Sequence, residues 1–189
     1  MINPYAQNKI DIELMLKQIS EKVNDLSIKV LRYFNPIGSH SSLKIGENPK
    51  GIPNNLMPYI MGVAFGKYKF LKIFGSDFDT ADGTGVRDYI HIHDIAIAHQ
   101  AALNYEKEGI NYFNIGTGKG YSVLNLLNTF EEINKIKIPF KFVKRRKGDV
   151  IIAFADVSKI KQNIGWVCKH SVDDALKSSW FWEKNLRDE

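Results

Sequence analysis

The sequence has a single cysteine, Cys168, among its 189 residues. A disulfide within the chain is therefore excluded, and we expect a protein of the reducing cytoplasm. No uninterrupted apolar run approaches the ~20 residues that a membrane-spanning helix needs. The first residues lack a basic segment followed by an apolar stretch, so no signal peptide is predicted. Neither observation favours a membrane partner.

The protein is moderately basic, with a formal net charge of +5 at pH 7. The lysines are scattered along the chain rather than gathered in a stripe, which favours a solvated surface over a nucleic-acid interface. No nucleic-acid partner is therefore expected. With 44% hydrophobic and 25% charged residues the composition is that of a globular protein, long enough to bury a sizeable core.

Helical and strand patterns alternate along the chain. Apolar residues at helical spacing predict a helix over 6–23. The nearly continuous apolar run from Ile28 to Phe34 predicts a strand buried on both faces, as in a parallel sheet, and residues 35–55 have a loop composition. Further helices are predicted at about 56–66, 94–107 and 122–134, after Asp156, and after a capping box at Ser171–Asp174; further strands are predicted at Leu71–Phe74, Val86–Ile92, Tyr112–Ile115 and Phe140–Val143. This alternation indicates an α/β fold.

Tyr5 and Lys9 form a Tyr-x-x-x-Lys pair near the start of the first predicted helix. Residues four apart share a helix face, and a neighbouring ammonium favours the phenolate that a tyrosine general base needs. A second match, Tyr68 and Lys72, runs from a turn into a strand and would not share such a face. The motif alone does not exclude chance.

Two further segments allow a phosphate-binding interpretation. The turn Gly116–Gly120 lies between a predicted strand and a predicted helix, but its spacing is G-x-G-x-G and no acidic residue follows about 20 positions later. A structural turn is favoured there. The basic run Lys144–Lys147 fits a solvated surface and a grip on a diphosphate equally well.

Metal-binding patterns are weak. The acidic residues Asp77, Asp79 and Asp82 have the wrong spacing for an EF-hand calcium loop. His91 and His93 would share one face of a strand, but two ligands are too few to close a metal site. No metal is expected.

Five longer runs resemble the UDP-glucose 4-epimerases of the extended short-chain dehydrogenase/reductase family. They are Leu31–Pro36, Gly51–Tyr59, Asp82–His91, Asn114–Val123 and Arg145–Asp149. The resemblance extends over residues 3–182, in the family's order and spacing, and so identifies Asn3-Pro4-Tyr5-x-x-x-Lys9 as the family's catalytic helix.

The resemblance implies an isomerase that interconverts UDP-glucose and UDP-galactose through NAD-dependent oxidation and re-reduction at sugar C4. Tyr5 would remove the proton of the 4-hydroxyl, Lys9 would support the phenolate and bind the nicotinamide ribose, and Tyr33 would lie near the nicotinamide. The cofactor supplies the hydride chemistry, and the protein supplies position and charge.

The resemblance also implies a substrate site. Arg87 and Arg146 match diphosphate ligands, Asp149 a ribose ligand, and Phe74 an aromatic ring beside the uracil. The implied substrate-binding residues are Asn35, Asn54, Asn55, Leu56, Ile73, Phe74, Arg87, Arg146, Asp149 and Ala153.

Three positions depart from the family's pattern. Lys72 stands where relatives often have Asn beside the uridine, and His93 replaces an apolar residue. Ala153 stands where some relatives have a Tyr that crowds the sugar 2-position. The small residue implies that UDP-N-acetylglucosamine and UDP-N-acetylgalactosamine are accepted as well.

The implied fold is the C-terminal part of a doubly wound, Rossmann-like NAD-binding fold plus a small UDP-sugar-binding α/β domain. Residues 1–35 would belong to the first and 36–189 mainly to the second, with 86–115 returning to the first domain's sheet. The chain would be a fragment without the NAD-binding half, inactive alone, whereas the full enzyme would form a homodimer through the first helix. The alternatives are a non-catalytic UDP-sugar-binding or interaction remnant and another nucleotide-sugar enzyme of the same family, such as a dehydratase or decarboxylase.

Overall fold

The computed structural model describes residues 4–188, so Asn3, part of the predicted helix start, lies outside them. The helices are α1 (Pro4–Lys22), α2 (Leu56–Ala64), α3 (Ile92–Leu103), α4 (Val123–Asn134), α5 (Ser158–Ile164) and α6 (Val172–Asp188). The strands are β1 (Ser27–Tyr33), β2 (Asn35–Ile37), β3 (Leu71–Phe74), β4 (Val86–Arg87), β5 (Tyr89–His91), β6 (Gly109–Ile115), β7 (Tyr121–Ser122), β8 (Phe140–Val143) and β9 (Ile152–Ala153). Within this part of the chain, no helix combines the length and apolar character needed to cross a membrane.

The strands pair mostly in parallel. β1 pairs with β6 from Ser27 opposite Gly109 to Tyr33 opposite Ile115. β2 pairs with β5 and β3 with β8, both in parallel. A small mixed sheet has the order β7-β4-β9, with β7 antiparallel and β9 parallel to β4. The predicted α/β class is therefore confirmed.

Two apolar clusters form the core. The first joins α2, α4 and α6 to β3, and its fully buried side chains include Ile60, Leu71, Phe130 and Leu176. The second packs α3 and α5 against β5 and β6 around residues such as Ile90, Phe113 and Ile160. The cleft described below lies at the edge of the first cluster.

The residues predicted to cap helices lie at or next to the helix starts, where their side chains accept hydrogen bonds from backbone N–H groups. Ser122 accepts a hydrogen bond from the Asn125 N–H at 3.0 Å. In the capping box, Ser171 Oγ accepts from the Asp174 N–H at 3.1 Å, and the Asp174 carboxylate accepts from the Ser171 N–H at 2.9 Å. Asp156 accepts from the Ser158 N–H at 2.9 Å but precedes the capping position of α5 by one residue.

Other predictions were wrong in detail. β1 is only half-buried, because α1 contributes no buried residue to cover it and β6 is its one partner among residues 4–188. The predicted strand Val86–Ile92 is divided at Asp88, and Ile92 already begins α3. The predicted loop 35–55 contains β2, whose pairing with β5 depends on contacts distant in sequence.

A buried carboxylate causes the division at Asp88. Its oxygens accept from the N–H groups of Thr117, Gly118 and Ala155 at 2.9–3.1 Å and from the Thr117 hydroxyl at 2.6 Å. Gly116 is required for this approach, since an added Cβ would lie 2.5 Å from Asp88 Oδ2. The N–H groups of the glycine-rich turn are thus used within the protein, which agrees with the structural interpretation of that turn.

Candidate functional site

A cleft of about 510 Å³ opens beside the N-terminal end of α2. Its walls come from β2, the segment before α2, β3, β4 and the loop that follows β8. Nine of the ten residues predicted to bind substrate line it: Asn35, Asn54, Asn55, Leu56, Ile73, Phe74, Arg87, Arg146 and Asp149. The fold therefore gathers into one cleft residues that are up to 114 positions apart in sequence, from Asn35 to Asp149.

The start of α2 lies at the cleft. Asn55 has the extended backbone of a capping residue, with φ −85° and ψ 150°, yet its side chain makes no capping hydrogen bond. Its Nδ2 instead donates to the Glu47 carboxylate at 2.9 Å. A helix N-terminus carries partial positive charge and free N–H groups, so this end of α2 favours an anion.

Cationic side chains and an aromatic ring also line the cleft. The Arg146 guanidinium lies 3.9 Å from the centroid of Phe74. Arg87 is held by its own sheet, because its Nη1 donates to the Val86 carbonyl at 2.8 Å and approaches the Ile151 carbonyl at 3.4 Å. Lys72 lines the same cleft. Two arginines, a lysine and an aromatic ring together suit an anion attached to a planar base.

Only one residue of the basic run Lys144–Lys147 lines the cleft, and it is Arg146. The neighbouring Arg145 donates from Nε to Asp77 Oδ1 at 2.6 Å and lies 4.0 Å from the centroid of the Phe78 ring. The hydrogen bond from Arg145 lowers the pKa of the exposed Asp77 carboxyl below its ordinary value. Arg146 is thus the residue of the run that is placed to meet a ligand in the cleft, whereas Arg145 is engaged within the protein.

Ala153 is the predicted substrate residue that does not line the cleft. It lies half-buried in β9, opposite Arg87 of β4 in the sheet register. Its methyl group is thus adjacent to a wall of the cleft rather than in it.

Tyr5, Lys9 and Tyr33 also lie outside the cleft. Tyr5 is 71% exposed on α1. Lys9 Nζ lies 5.3 Å from the centroid of the Tyr5 ring, so the two side chains share one helix face. Tyr33, at the end of β1, is 53% exposed, and its ring centroid is 6.1 Å from that of His99. The phenol and the ammonium on α1 are therefore accessible to a cofactor or substrate, and they fit a nicotinamide ribose in chemistry.

The competing pair, Tyr68 and Lys72, is separated by the fold. Tyr68 stacks on Tyr59 with ring centroids 4.7 Å apart, and its hydroxyl is buried without a hydrogen-bond partner. Lys72 projects from β3 and is exposed. These two side chains do not form an acid–base pair.

Tyr89, Phe78 and Glu47 are among the cleft residues that were missed from the sequence. Tyr89 follows Arg87 by two positions, and the alternation of side chains along a strand would have indicated that both face the cleft. Burial raises the pKa of Tyr89 to about 12, against a lowering effect of the Arg87 charge, so the hydroxyl stays neutral. Phe78 and Glu47 lie in loops, where no periodic pattern indicates which side chains point into a cleft.

The histidines form a separate group. The ring centroids of His91 and His170 are 4.6 Å apart, and those of His93 and His170 are 5.1 Å apart. His91 and His93 do not share a strand face as predicted, because His93 belongs to α3. Its N–H donates to His91 Nδ1 at 3.0 Å. Between residues 4 and 188, no group of three His, Cys, Asp or Glu side chains is arranged to hold a metal ion.

A family model described as GDP-mannose 4,6 dehydratase matches residues 2–179. Among curated relatives, a UDP-glucose 4-epimerase of Pasteurella multocida is 48% identical over 184 residues, which cover 96% of this chain and 54% of that protein. The human UDP-glucose 4-epimerase is 46% identical, with 96% and 53% covered. The chain thus spans about half the length of the curated relatives that it matches.

The chain is also similar to solved structures of UDP-glucose 4-epimerases. A UDP-glucose 4-epimerase from Stenotrophomonas maltophila, with bound NAD and formylated UDP-arabinopyranose, superposes with a TM-score of 0.95 at 43% identity, covering 99% of this chain and 56% of that one. The enzyme from Bifidobacterium longum, in complex with NAD+ and UDP, gives a TM-score of 0.94 at 42% identity, with 98% and 56% covered.

Proposed function

We propose, from the premise that this chain belongs to the GDP-mannose 4,6 dehydratase family of extended short-chain dehydrogenases/reductases, that its cleft binds the nucleotide of a UDP-hexose for 4-epimerisation. The single observation that carries the proposal is the meeting of Arg87, Arg146 and Phe74 with the N-terminal end of α2 in one cleft. The similarity to epimerases that bind UDP and NAD supports it.

Each wall of the cleft has a role in this proposal. The diphosphate lies between the two arginines and the start of α2, where charge-assisted hydrogen bonds are strongest. Phe74 and Ile73 contact the uracil, and Asp149 accepts from the ribose hydroxyls. Asn35, Asn54, Asn55 and Leu56 contact the sugar and its phosphate.

The proposed chemistry depends on the exposed face of α1. Tyr5 accepts the proton of the sugar 4-hydroxyl, and Lys9 stabilises the phenolate while it binds the ribose of the cofactor. Tyr33 would lie beside the same cofactor. When bound, NAD would supply the reversible hydride acceptor for sugar C4.

We propose that the chain alone binds UDP-sugars without turnover, since Tyr5, Lys9 and Tyr33, to which the chemistry is assigned, lie outside the cleft. The pairing of β1 with β6 supports the assignment of residues 1–35 and the end of 86–115 to one sheet, with the remainder of 36–189 forming the substrate domain. β4, at the start of 86–115, pairs with β7 and β9 instead. A cytoplasmic location is also proposed, in line with the lone cysteine.

A homodimer through α1 belongs to the same proposal. Ile12, Met15 and Ile19 lie three and four positions apart and are each exposed. An apolar face of this kind is stabilised when a second copy covers it. Sedimentation equilibrium should show a dimer for the wild-type chain and a monomer for Met15→Lys, because the lysine places a charge in the apolar face. A wild-type chain that stays monomeric at every concentration would contradict the homodimer.

Thermal unfolding with and without UDP tests the binding function. UDP at 100 times its dissociation constant should add about 2.7 kcal/mol of stability, a rise in Tm of about 5–10 °C for a chain of this size. Two adjacent arginines give a matched control: Arg146→Ala should abolish most of the shift, whereas Arg145→Ala should retain it. Equal loss in both variants, or no shift with the wild-type chain, would contradict the proposed site.

The preferred sugar is tested at Ala153. Because a methyl group leaves room beside the sugar 2-position, UDP-N-acetylglucosamine and UDP-glucose should produce similar rises in Tm. Ala153→Tyr should reduce the shift with UDP-N-acetylglucosamine and preserve it with UDP-glucose. If the wild-type chain responds to UDP-glucose alone, the broad specificity is wrong.

A further inference from the structure

Asn55 occupies a capping position but does not cap its helix. Asn is among the residues that most favour this position, where the side chain usually accepts from the second or third N–H of the helix. In α2 the third residue is Pro58, which has no N–H, so the Met57 N–H is the available partner. The Asn55 backbone already has the extended conformation that capping requires.

The Asn55 side chain is turned instead toward Glu47, whose carboxylate accepts from Asn55 Nδ2 at 2.9 Å. The position of Glu47 is fixed independently of α2. Its carbonyl accepts from Trp182 Nε1 of α6 at 3.0 Å, and the preceding Gly46 lies so close to the same indole that an added Cβ would be 2.4 Å from it. The C-terminal helix therefore holds the backbone from which the exposed Glu47 carboxylate reaches Asn55.

We propose that Glu47 is a positioning residue: it holds the Asn55 amide away from the Met57 N–H and so keeps the start of α2 open to a phosphate group of the ligand. That the occupant of this end of α2 is a phosphate group rests on the proposed function. The competition between capping and the hydrogen bond to Glu47 is independent of that function, because both are contacts within the chain.

The charge of Glu47 makes the proposal testable. A carboxylate that lines a cleft for an anion repels that anion, so electrostatics alone predicts tighter binding when the charge is removed. A positioning role predicts that the result depends on the replacement. Gln retains a carbonyl oxygen that accepts from Asn55, whereas Ala retains no acceptor and releases Asn55 to cap α2.

Calorimetric titration of the full chain with UDP separates the two roles. Glu47→Ala should weaken UDP binding by about threefold to tenfold, the net worth of one hydrogen bond. Glu47→Gln should bind as tightly as the wild type or more tightly. Glu106→Ala, which removes an exposed carboxylate after α3, is the control for net charge. If both Glu47 variants bind UDP more tightly, Glu47 acts only through its charge and the proposal is overturned.

A second measurement needs no ligand. In the wild-type background Asn55→Ala should change Tm little, since Asn55 does not cap α2. In the Glu47→Ala background the same substitution should lower Tm by about 2–4 °C, because a working cap is then lost. Equal effects in the two backgrounds would overturn the proposal. Failure to bind UDP with an unequal effect on Tm would instead contradict the proposed function and retain the positioning role.

Discussion

At the scale of single residues, Asp88 connects segments that are distant in sequence. Its carboxylate is buried between β4 and β5 and accepts from backbone N–H groups of the turn after β6 and of the segment after β9. The same residue ends β4, one position after Arg87 in the cleft. A buried carboxylate thus lies next in sequence to one of the arginines that line the cleft.

Asp88→Ala should therefore destabilise the fold strongly. The substitution leaves the N–H groups of Thr117, Gly118 and Ala155 without their acceptor in the interior, and the expected loss is more than about 3 kcal/mol of unfolding free energy. Urea denaturation measures it. Asp79→Ala, at an exposed position of the preceding loop, should change the midpoint little. Similar midpoints for both variants would contradict the role given to Asp88.

Cys168 should react slowly with thiol reagents in the native chain. Burial and a hydrogen bond from its Sγ to Asp94 Oδ2 at 3.0 Å raise the pKa of the thiol to about 12. Little thiolate exists at pH 8, and the thiolate is the reactive form. Iodoacetamide labelling followed by mass spectrometry should be slow in buffer and fast in 6 M guanidinium, and equal rates would contradict this environment.

At the scale of elements, α3 begins with a histidine as its cap. His91 Nδ1 accepts from the His93 N–H, while Nε2 lies 3.2 Å from Ser178 Oγ of α6. Burial lowers the pKa of His91, and the charge of His170 adds to this effect. His93 also lowers this pKa, whereas the carboxylates of Asp94 and Asp174 partly oppose the change. The cap requires the neutral imidazole.

Stability should consequently fall as the pH drops below about 6.5, the ordinary pKa of histidine in the unfolded chain. In that range the unfolded chain binds a proton that native His91, with its lowered pKa, does not yet bind. Denaturation midpoints between pH 7.5 and 5 measure the effect. His91→Asn keeps a capping side chain without the titration and should flatten the profile. An unchanged slope in this variant would assign the effect to other histidines.

The elements themselves were largely predictable. Helices with regular apolar spacing or a capping side chain, such as α4 with Ser122, were placed within a few residues because their signals are local. β2 was missed, since its three residues are a strand only through pairing with β5. The division of Val86–Ile92 was missed as well, because it depends on a carboxylate whose partners lie 29 or more positions away.

At the scale of the whole molecule, stability is distributed unevenly. α4 contributes Leu126, Leu127 and Phe130 to the core, whereas α1 has no buried residue. α1 meets the remainder of the chain through β1 and β6 and through the ion pair of Glu13 with Arg32, whose Nε donates at 2.7 Å. This pair is partly exposed, and such pairs contribute little.

Hydrogen exchange should therefore be fast in α1 and slow in α4 when the chain is dilute. Local opening of a helix without buried side chains has a low free-energy cost. Mass spectrometry of exchanged peptides resolves the two helices. At higher concentration, protection of α1 should increase if a second copy covers its apolar face. Protection of α1 equal to that of α4 at every concentration would contradict this distribution of stability.

The cleft was predictable because the residues that form it stand in long runs that resemble one family. The resemblance assigned Asn54, Arg87 and Asp149 to one ligand, and the fold brings them into one cleft. It did not indicate Glu47, whose contact with Asn55 depends on how α6 holds a loop. Nor did it indicate that Tyr5 and Lys9 would lie on an exposed helix face outside that cleft.

The Arg146 guanidinium already covers one face of the Phe74 ring, 3.9 Å from its centroid. If the cleft binds a nucleotide as proposed, a base that stacks on Phe74 has to use the opposite face of the ring or displace the guanidinium. The diphosphate of the same ligand would attract the guanidinium away from the ring, whereas an uncharged nucleoside would not. On the proposed function, the cleft would therefore bind uridine more weakly than UDP for two reasons: the loss of the phosphate contacts and the retained contact between Arg146 and Phe74.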